Sequence, residues 1–221
     1  EKVEQVLMAA VMVFSVVMAI GIFMVLPLLI ANACKQVIHS DTIMAILEGV
    51  IRIAIFIAYI KLISRMEDIR RTFMYHGAEH KCINCIEHGM DLTVENVRKS
   101  SRLHKRCGTS FLLIVMIISI FFFMFIHVDS RVLRLVLRLV LIPVIAGVSF
   151  EFIRLAGRSD NALINLLSKP GLLLQHITTK EPEDDMIEVG IASVEAVFDW
   201  KTYVEEIRQE DSREHDISGS N

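Results

Sequence analysis

His76-Gly-Ala-Glu79-His80 places two imidazoles and a carboxylate within five residues of chain. On a helix, residues four apart stack on one face, so the two rings would stand side by side with Glu79 next to them. This H-x-x-E-H spacing is the inverted form of a zinc-hydrolase signature. In that chemistry the histidines hold a divalent metal, while the glutamate takes a proton from water activated there and later returns it. The bland alternative is a surface helix that happens to carry three polar residues.

A second metal pattern competes for the same region. Cys82-x2-Cys85 and His104-x2-Cys107 have the ligand types and pair spacings of a structural Cys3His zinc site. A closed set of four ligands is structural, whereas a site with an open position is catalytic. The elements that would carry these residues are two helices. The first is expected over residues 72–88, closed by Gly89 as a C-terminal cap, and the second from Thr93 as N-cap to about residue 106. Around the first helix, His76, Glu79, His80, Ile83 and Glu87 share one face, which makes Glu87 a further ligand candidate. Cys82 and Cys85 point away and would join only if the helix broke early.

The segment lies between very apolar blocks. Hydrophobic residues make up 53% of the 221 residues, and their concentration in long runs separates this chain from a soluble domain, where they recur at helix or strand period. Residues 6–31 contain no charge, enough for one membrane span. Residues 43–64, 110–128 and 132–150 give three more, the second span carrying Glu48 and Arg52 and the fourth Arg134 and Arg138. The first run is too long for a signal peptide and leads into further spans, so it reads as an anchor. The chain opens on Glu1, not methionine, which implies an upstream segment removed or left out.

Lysine and arginine near the span ends set orientation. Residues 65–106 hold nine of them, against Lys35 and Arg131 in the two short loops, so this segment and both termini are expected in the cytoplasm. Arg138 and the Glu48/Arg52 pair would then share a depth of roughly 7 to 14 Å from the outer side, at about 1.5 Å per residue, where they could pair. Three of the four cysteines would be cytoplasmic, which argues against a disulfide framework. The basic segment lacks the interleaved aromatics of a single-strand platform, so no nucleic-acid partner is expected; membrane lipids are. The tail from Glu181 is acidic. Pro182 fits a first helical turn, and Met186, Val189, Val197, Trp200, Val204 and Ile207 form an apolar stripe, with residues 205–221 expected to be disordered. The acidic run lacks the glycine and spacing of a calcium loop.

Tyr75-His-Gly-Ala-Glu-His-Lys81, Asn84-Cys85, Thr93-Val-Glu-Asn-Val97, Arg102-x-His104-x-Arg106-Cys107-Gly-Thr-Ser-Phe111, Ile142-Pro143, Ser149-Phe-Glu151, Pro170-Gly171 and Thr178-Thr-Lys-Glu-Pro182 resemble the bacterial YqhQ-like family. Its members are multi-pass membrane proteins, and the resemblance implies metal dependence. The family carries a Gly-rich soluble segment before the first span that this sequence lacks. Its pattern includes His76, Glu79, His80, Cys85, His104 and Cys107 but no cysteine at position 82, which sets the complete Cys3His site aside. What it implies is a site drawing on both helices. Glu151, ending the fourth span on the expected cytoplasmic side, could close a His76/His80/Glu151 set that leaves a fourth position for water, or could simply mark the membrane interface. His176, in a short apolar run too brief to span, is a weaker candidate.

The expected architecture is an all-α, multi-pass membrane helix bundle of about four spans with a cytoplasmic helical cap. It divides into hairpins at residues 1–64 and 110–151, a metal-binding segment at 65–109 and interfacial and amphipathic helices at 152–221. The ligand candidates are His76, His80, Cys85, His104, Cys107 and Glu151, the metal zinc and the catalytic candidate Glu79. The leading expectation is metal-dependent hydrolysis of a peptide or lipid headgroup at the cytoplasmic face of the bacterial inner membrane. The rival is a non-catalytic scaffold or membrane-protein assembly factor with a structural metal.

Overall fold

The computed structural model describes residues 2–126, 128, 131–159 and 161–218, with side chains except those of residues 131, 132, 134, 135, 210, 211 and 214–218. Arg131 and Arg134 thus fall outside the described side chains. Regular structure among the described residues is entirely helical, and the chain divides into two compact units, Glu1–Ile60 with Phe111–Ser159 and Lys61–Ser110 with Asp160–Asn221.

The first unit is built from apolar helices. Helix α1 (Lys2–Ile20) runs through a π-helical turn (Gly21–Val25) into α2 (Leu26–Ala33), which carries Pro27 in its first turn. Proline offers no N–H to the preceding turn, and one widened turn absorbs the mismatch without ending the helix. Together with α3 (Asp41–Ile63) and residues Val136–Ala156 of α7 (Arg131–Ala156), this gives three helices long and apolar enough to cross a membrane. Helix α1 buries none of its residues. Apolar side chains presented outward along a whole helix suit lipid as the solvent.

The third expected span is shorter than its apolar run. Helix α6 (Gly108–Phe123) has 16 residues, about 24 Å at 1.5 Å per residue, short of the roughly 30 Å of a bilayer core. It stops because the chain tightens into turns, with Phe125 N–H donating to Phe122 O and Ile126 N–H to Phe123 O. Among the described residues the four expected apolar helices are present, three of them long enough to cross a membrane and α6, the third expected span, shorter. The anticipated pairing of buried charges is present: Glu48 accepts hydrogen bonds from Arg52 on its own helix and from Arg138 on α7.

The second unit centres on α4 (Glu67–Glu87), which packs chiefly against α9 (Asp184–Val197), α5 (Val94–Lys99) and α10 (Trp200–Ser218). Cys82, Cys85, Ile86, Leu92, Val97, Ile187 and Val204 form its core. Helix α4 ends as its sequence predicts. Gly89 adopts φ 66°, and the N–H groups of Gly89 and Met90 bond the carbonyls of Ile86 and Cys85, which closes the last turn. Thr93 caps α5, accepting from Asn96 N–H at 3.3 Å.

Several expectations for this unit change. Helix α5 stops at Lys99, well before residue 106, because buried Lys81 and Asn84 of α4 take the carbonyls of residues 98, 100, 101 and 103 and hold that stretch in a non-helical path. The tail forms two helices. Asp199 starts α10 by accepting from the Thr202 N–H and hydroxyl, and α10 continues to Ser218 where disorder was expected. Pro182 precedes the α9 N-cap, Glu183, and Val197 stays 86% exposed, outside the buried stripe. Helix α8 (Ala162–Thr178) extends the short apolar run around His176 to 17 residues.

Candidate metal centre

The site begins where an extended strand of chain crosses α4. Lys180 N–H donates to Phe73 O at 2.8 Å, and a Cβ added to Gly77 would stand 2.0 Å from Lys180 O. Only glycine permits so close a backbone crossing. That crossing aims the carbonyl of Thr178, the last residue of α8, at His76. His76 Nδ1 lies 2.9 Å from it. A carbonyl only accepts, so Nδ1 carries the hydrogen, and the neutral ring leaves Nε2 with a free lone pair.

The same device recurs one turn later. His80 Nδ1 bonds Arg102 O at 2.8 Å, which fixes its tautomer and frees its Nε2. Arg102 is held in turn by the loop that replaces the end of α5. Lys81 is buried and uses all three ammonium donors, to Arg98 O and Ser100 O at 2.9 Å each and to Glu181 Oε1 at 2.6 Å. Asn84 donates to Ser101 O and Leu103 O. Fully buried Gln175 pins the next residue, accepting from His104 N–H and donating to His104 O and the Ser110 hydroxyl.

This loop delivers Cys107 to the two histidines. Its Sγ is 3.4 Å from His76 Nε2 and 3.0 Å from Thr109 Oγ1, and the His76 and His80 rings meet edge to face with centroids 4.4 Å apart. One donor atom from each of His76, His80 and Cys107 lies within 4.8 Å of the others. Burial of Cys107 opposes ionisation, but hydrogen bonds from His76, His80, Thr109 and the Ser110 N–H at the start of α6 outweigh it and bring the thiol down to about 4. The hydrogen bond to Cys107 in turn raises His76, against its partial burial. Without a metal, Cys107 is held as a thiolate beside His76.

The remaining candidates sit elsewhere. Cys85 is in the core, its Sγ 3.5 Å from Asp91 O, and burial pushes its thiol up. Cys82 is also in that core, and burial pushes it up to about 12. His104 has its Nε2 3.0 Å from Glu87 Oε2, while Glu87 also pairs with Arg106. This leaves Glu87 occupied: burial acts against its ionisation, but His104 and Arg106 hold its carboxyl below the ordinary value. Glu151 belongs to the other unit, more than half exposed and paired with Arg154 at 2.7 Å. His176 turns its Nδ1 to Leu172 O on its own helix. Glu79 is exposed, and with His76 it lines a cleft of about 780 Å³ whose other walls include Tyr75, Ile83, Val189 and Phe198. Sequence reasoning quoted Thr178, Arg102, Lys81 and Asn84 as motif residues and gave neither them nor Gln175 a role in the site. The first two act through main-chain carbonyls, which leave no trace in residue type.

The donor set suits a borderline-soft divalent ion. Two imidazole nitrogens and a thiolate are ligands that zinc takes at about 2.0–2.3 Å, and histidines whose second nitrogen donates to a carbonyl are the usual form of such ligands. Fold and site thus define an all-helical protein with candidate membrane-spanning helices and a His/His/Cys group that could hold a metal. A family model described as "Protein of unknown function (DUF1385)" matches residues 1–200, and the chain belongs to that family. It is 39% identical over 187 residues to "Uncharacterized protein YqhQ" of Bacillus subtilis (strain 168), a match covering 84% of this chain and 59% of that protein. The chain therefore spans little more than half the length of this relative. No solved structure matches it significantly.

Proposed function

We propose that the protein is a zinc-dependent hydrolase working at the cytoplasmic surface of a bacterial membrane, with His76, His80 and Cys107 as its metal ligands. The observation that carries this reading is the pair of carbonyl acceptors, Thr178 O and Arg102 O, which engage Nδ1 of both histidines and leave their Nε2 atoms for a metal in a group with Cys107. A bound zinc ion would supply Lewis-acid polarisation of a carbonyl or phosphoryl group and of water. Three protein ligands leave the fourth position that such chemistry needs.

Glu79 is the general base and acid of this proposal. Its carboxylate is exposed, makes no hydrogen bond or ion pair with the described residues, and shares the cleft wall with His76. It accepts the proton of the attacking water and returns it to the leaving group. The substrate is a peptide or lipid headgroup whose apolar part occupies the cleft beside Tyr75, Val189 and Phe198. The excess of Lys and Arg in residues 65–106 supports the cytoplasmic placement.

The burial of His80 and Cys107, 3% and 4% exposed, favours a second reading. A closed, structural zinc would then only fix this unit of a membrane scaffold or assembly factor. Glu79→Gln separates the two in a complementation assay read together with metal content. Hydrolysis requires that the variant keep its metal and lose function; full complementation would sink it. A variant that loses both makes Glu79 a ligand or its support and returns the structural reading.

A further inference from the structure

The first unit holds a separate polar cluster within helices that are otherwise apolar enough for a bilayer. Glu48 on α3 is buried and accepts from Arg138 Nη1 and Nη2 at 3.0 and 3.2 Å and from Arg52 Nη2 at 2.7 Å. Two guanidinium groups thus share one carboxylate, and among the described residues the three side chains together carry one net positive charge. The Nε atoms of both arginines are buried with no hydrogen-bond partner among the described residues, which leaves donors of this cluster unsaturated there. Phe123 stacks against Arg138 with its ring centroid 5.0 Å from the guanidinium carbon, which softens that charge without neutralising it.

Joining α3 to α7 does not by itself require this arrangement. The Arg138–Glu48 pair is bidentate and joins α3 to α7 by itself, while Arg52 adds a second charge at a depth where unpaired charge is expensive. A cavity of about 360 Å³ opens beside the pair, lined by Arg138 and Glu48 together with Asn32, Lys35 and Asp41. The lining itself balances Lys35 and Arg138 against Asp41 and Glu48, and the positive excess is that of Arg52, which bonds Glu48 from outside the lining. Guanidinium, ammonium and amide N–H groups around one cavity are the donors that recognise phosphate oxygens.

We propose that this cavity binds a phosphate group, held chiefly by Arg138 with Lys35 and Asn32, whose negative charge completes the Glu48/Arg52/Arg138 cluster. An anionic lipid headgroup and free inorganic phosphate share this chemistry. The site is independent of the metal centre.

The test uses the full chain, purified in a neutral detergent and examined by native mass spectrometry. Phosphatidylglycerol is compared with phosphatidylcholine of the same acyl chains, and inorganic phosphate is added alone and as a competitor. Wild type should retain one phosphatidylglycerol or one phosphate per chain, and Arg52→Gln and Arg138→Gln should each weaken that binding about tenfold or more by making the cluster neutral. Arg52→Gln is the decisive variant, because it leaves the Arg138–Glu48 pair intact and its amide can still donate to Glu48. Phosphate that binds alone or displaces the lipid identifies the free anion as ligand; retention of phosphatidylglycerol that phosphate does not disturb identifies the headgroup. Equal retention of the two lipids with no phosphate binding, or a phosphatidylglycerol preference unchanged in Arg52→Gln, overturns the proposal.

Discussion

Thr178 and His76 lie 102 residues apart, and the Thr178 carbonyl accepts the Nδ1–H of His76 at 2.9 Å. This contact decides what the H-x-x-E-H segment can do. A histidine free to choose its tautomer is an indifferent ligand, whereas one whose Nδ1 hydrogen is committed holds Nε2 ready for a metal. The contact exists because the chain after α8 crosses α4 at Gly77.

Metal content follows from the donor set. Elemental analysis of the purified chain is expected to find about one zinc per chain, and His80→Ala or Cys107→Ser to remove it. A metal-free wild type with an intact fold would eliminate both the catalytic and the structural zinc.

Gly77→Ala tests the crossing. The added methyl would stand 2.0 Å from Lys180 O, and since both partners are backbone, the segment carrying Thr178 must move. Overpacking of this kind costs about 1–3 kcal/mol, and loss of the carbonyl partner lowers metal affinity by about 10- to 100-fold. A variant that unfolds in denaturant and binds zinc as wild type does would show that the crossing does not set the ligand.

Acid titration of the metal-stripped chain tests the Cys107 environment. Burial opposes ionisation, yet the hydrogen bonds from His76, His80 and Thr109 bring Cys107 to about 4. A depressed acid stabilises the fold fully above its unfolded value, and progressively loses that contribution as pH falls toward about 4. His76 is raised, so its share is complete below its unfolded value and fades as pH rises past the folded one. Thiolate ultraviolet absorption should persist at roughly pH 6, where free thiols are protonated, and vanish in Cys107→Ser. Cys82 and Cys85, both raised, should contribute none. A spectrum without thiolate at that pH contradicts the pairing.

Orientation can be read at Lys99, whose side chain is 68% exposed. A Lys99→Cys variant in a Cys34→Ser background should react with an impermeant maleimide only after the cells are permeabilised, because the lysine and arginine excess of residues 65–106 predicts a cytoplasmic segment. Labelling of intact cells would reverse the topology and move the proposed chemistry to the outer face.

The all-helical class, the apolar blocks and the two histidines on one face were legible because each is a local property. Period and composition fix which residues share a helix face, and the Gly89 and Thr93 caps are equally local. Where local reasoning failed, a distant group had intervened. Residues 100–106 leave the helical path because Lys81 and Asn84 bond their carbonyls, and α6 is shorter than its apolar run because hydrogen-bonded turns, not hydropathy, end it.

The ligand set shows the division most clearly. The sequence by itself determined that His76 and His80 stand one turn apart, since that spacing is a constant of the α-helix. It left Cys85, His104, Cys107 and Glu151 as alternatives for the rest. Only the tertiary structure decided that Cys107 meets the histidines while Cys85 belongs to the core cluster with Ile187 and Val204 and His104 turns to Glu87. The physical reason is that this proximity depends on how Lys81, Asn84 and Gln175 pin a loop through its main chain. Main-chain atoms are the same at every position, so no pattern of residue types records where they will be held.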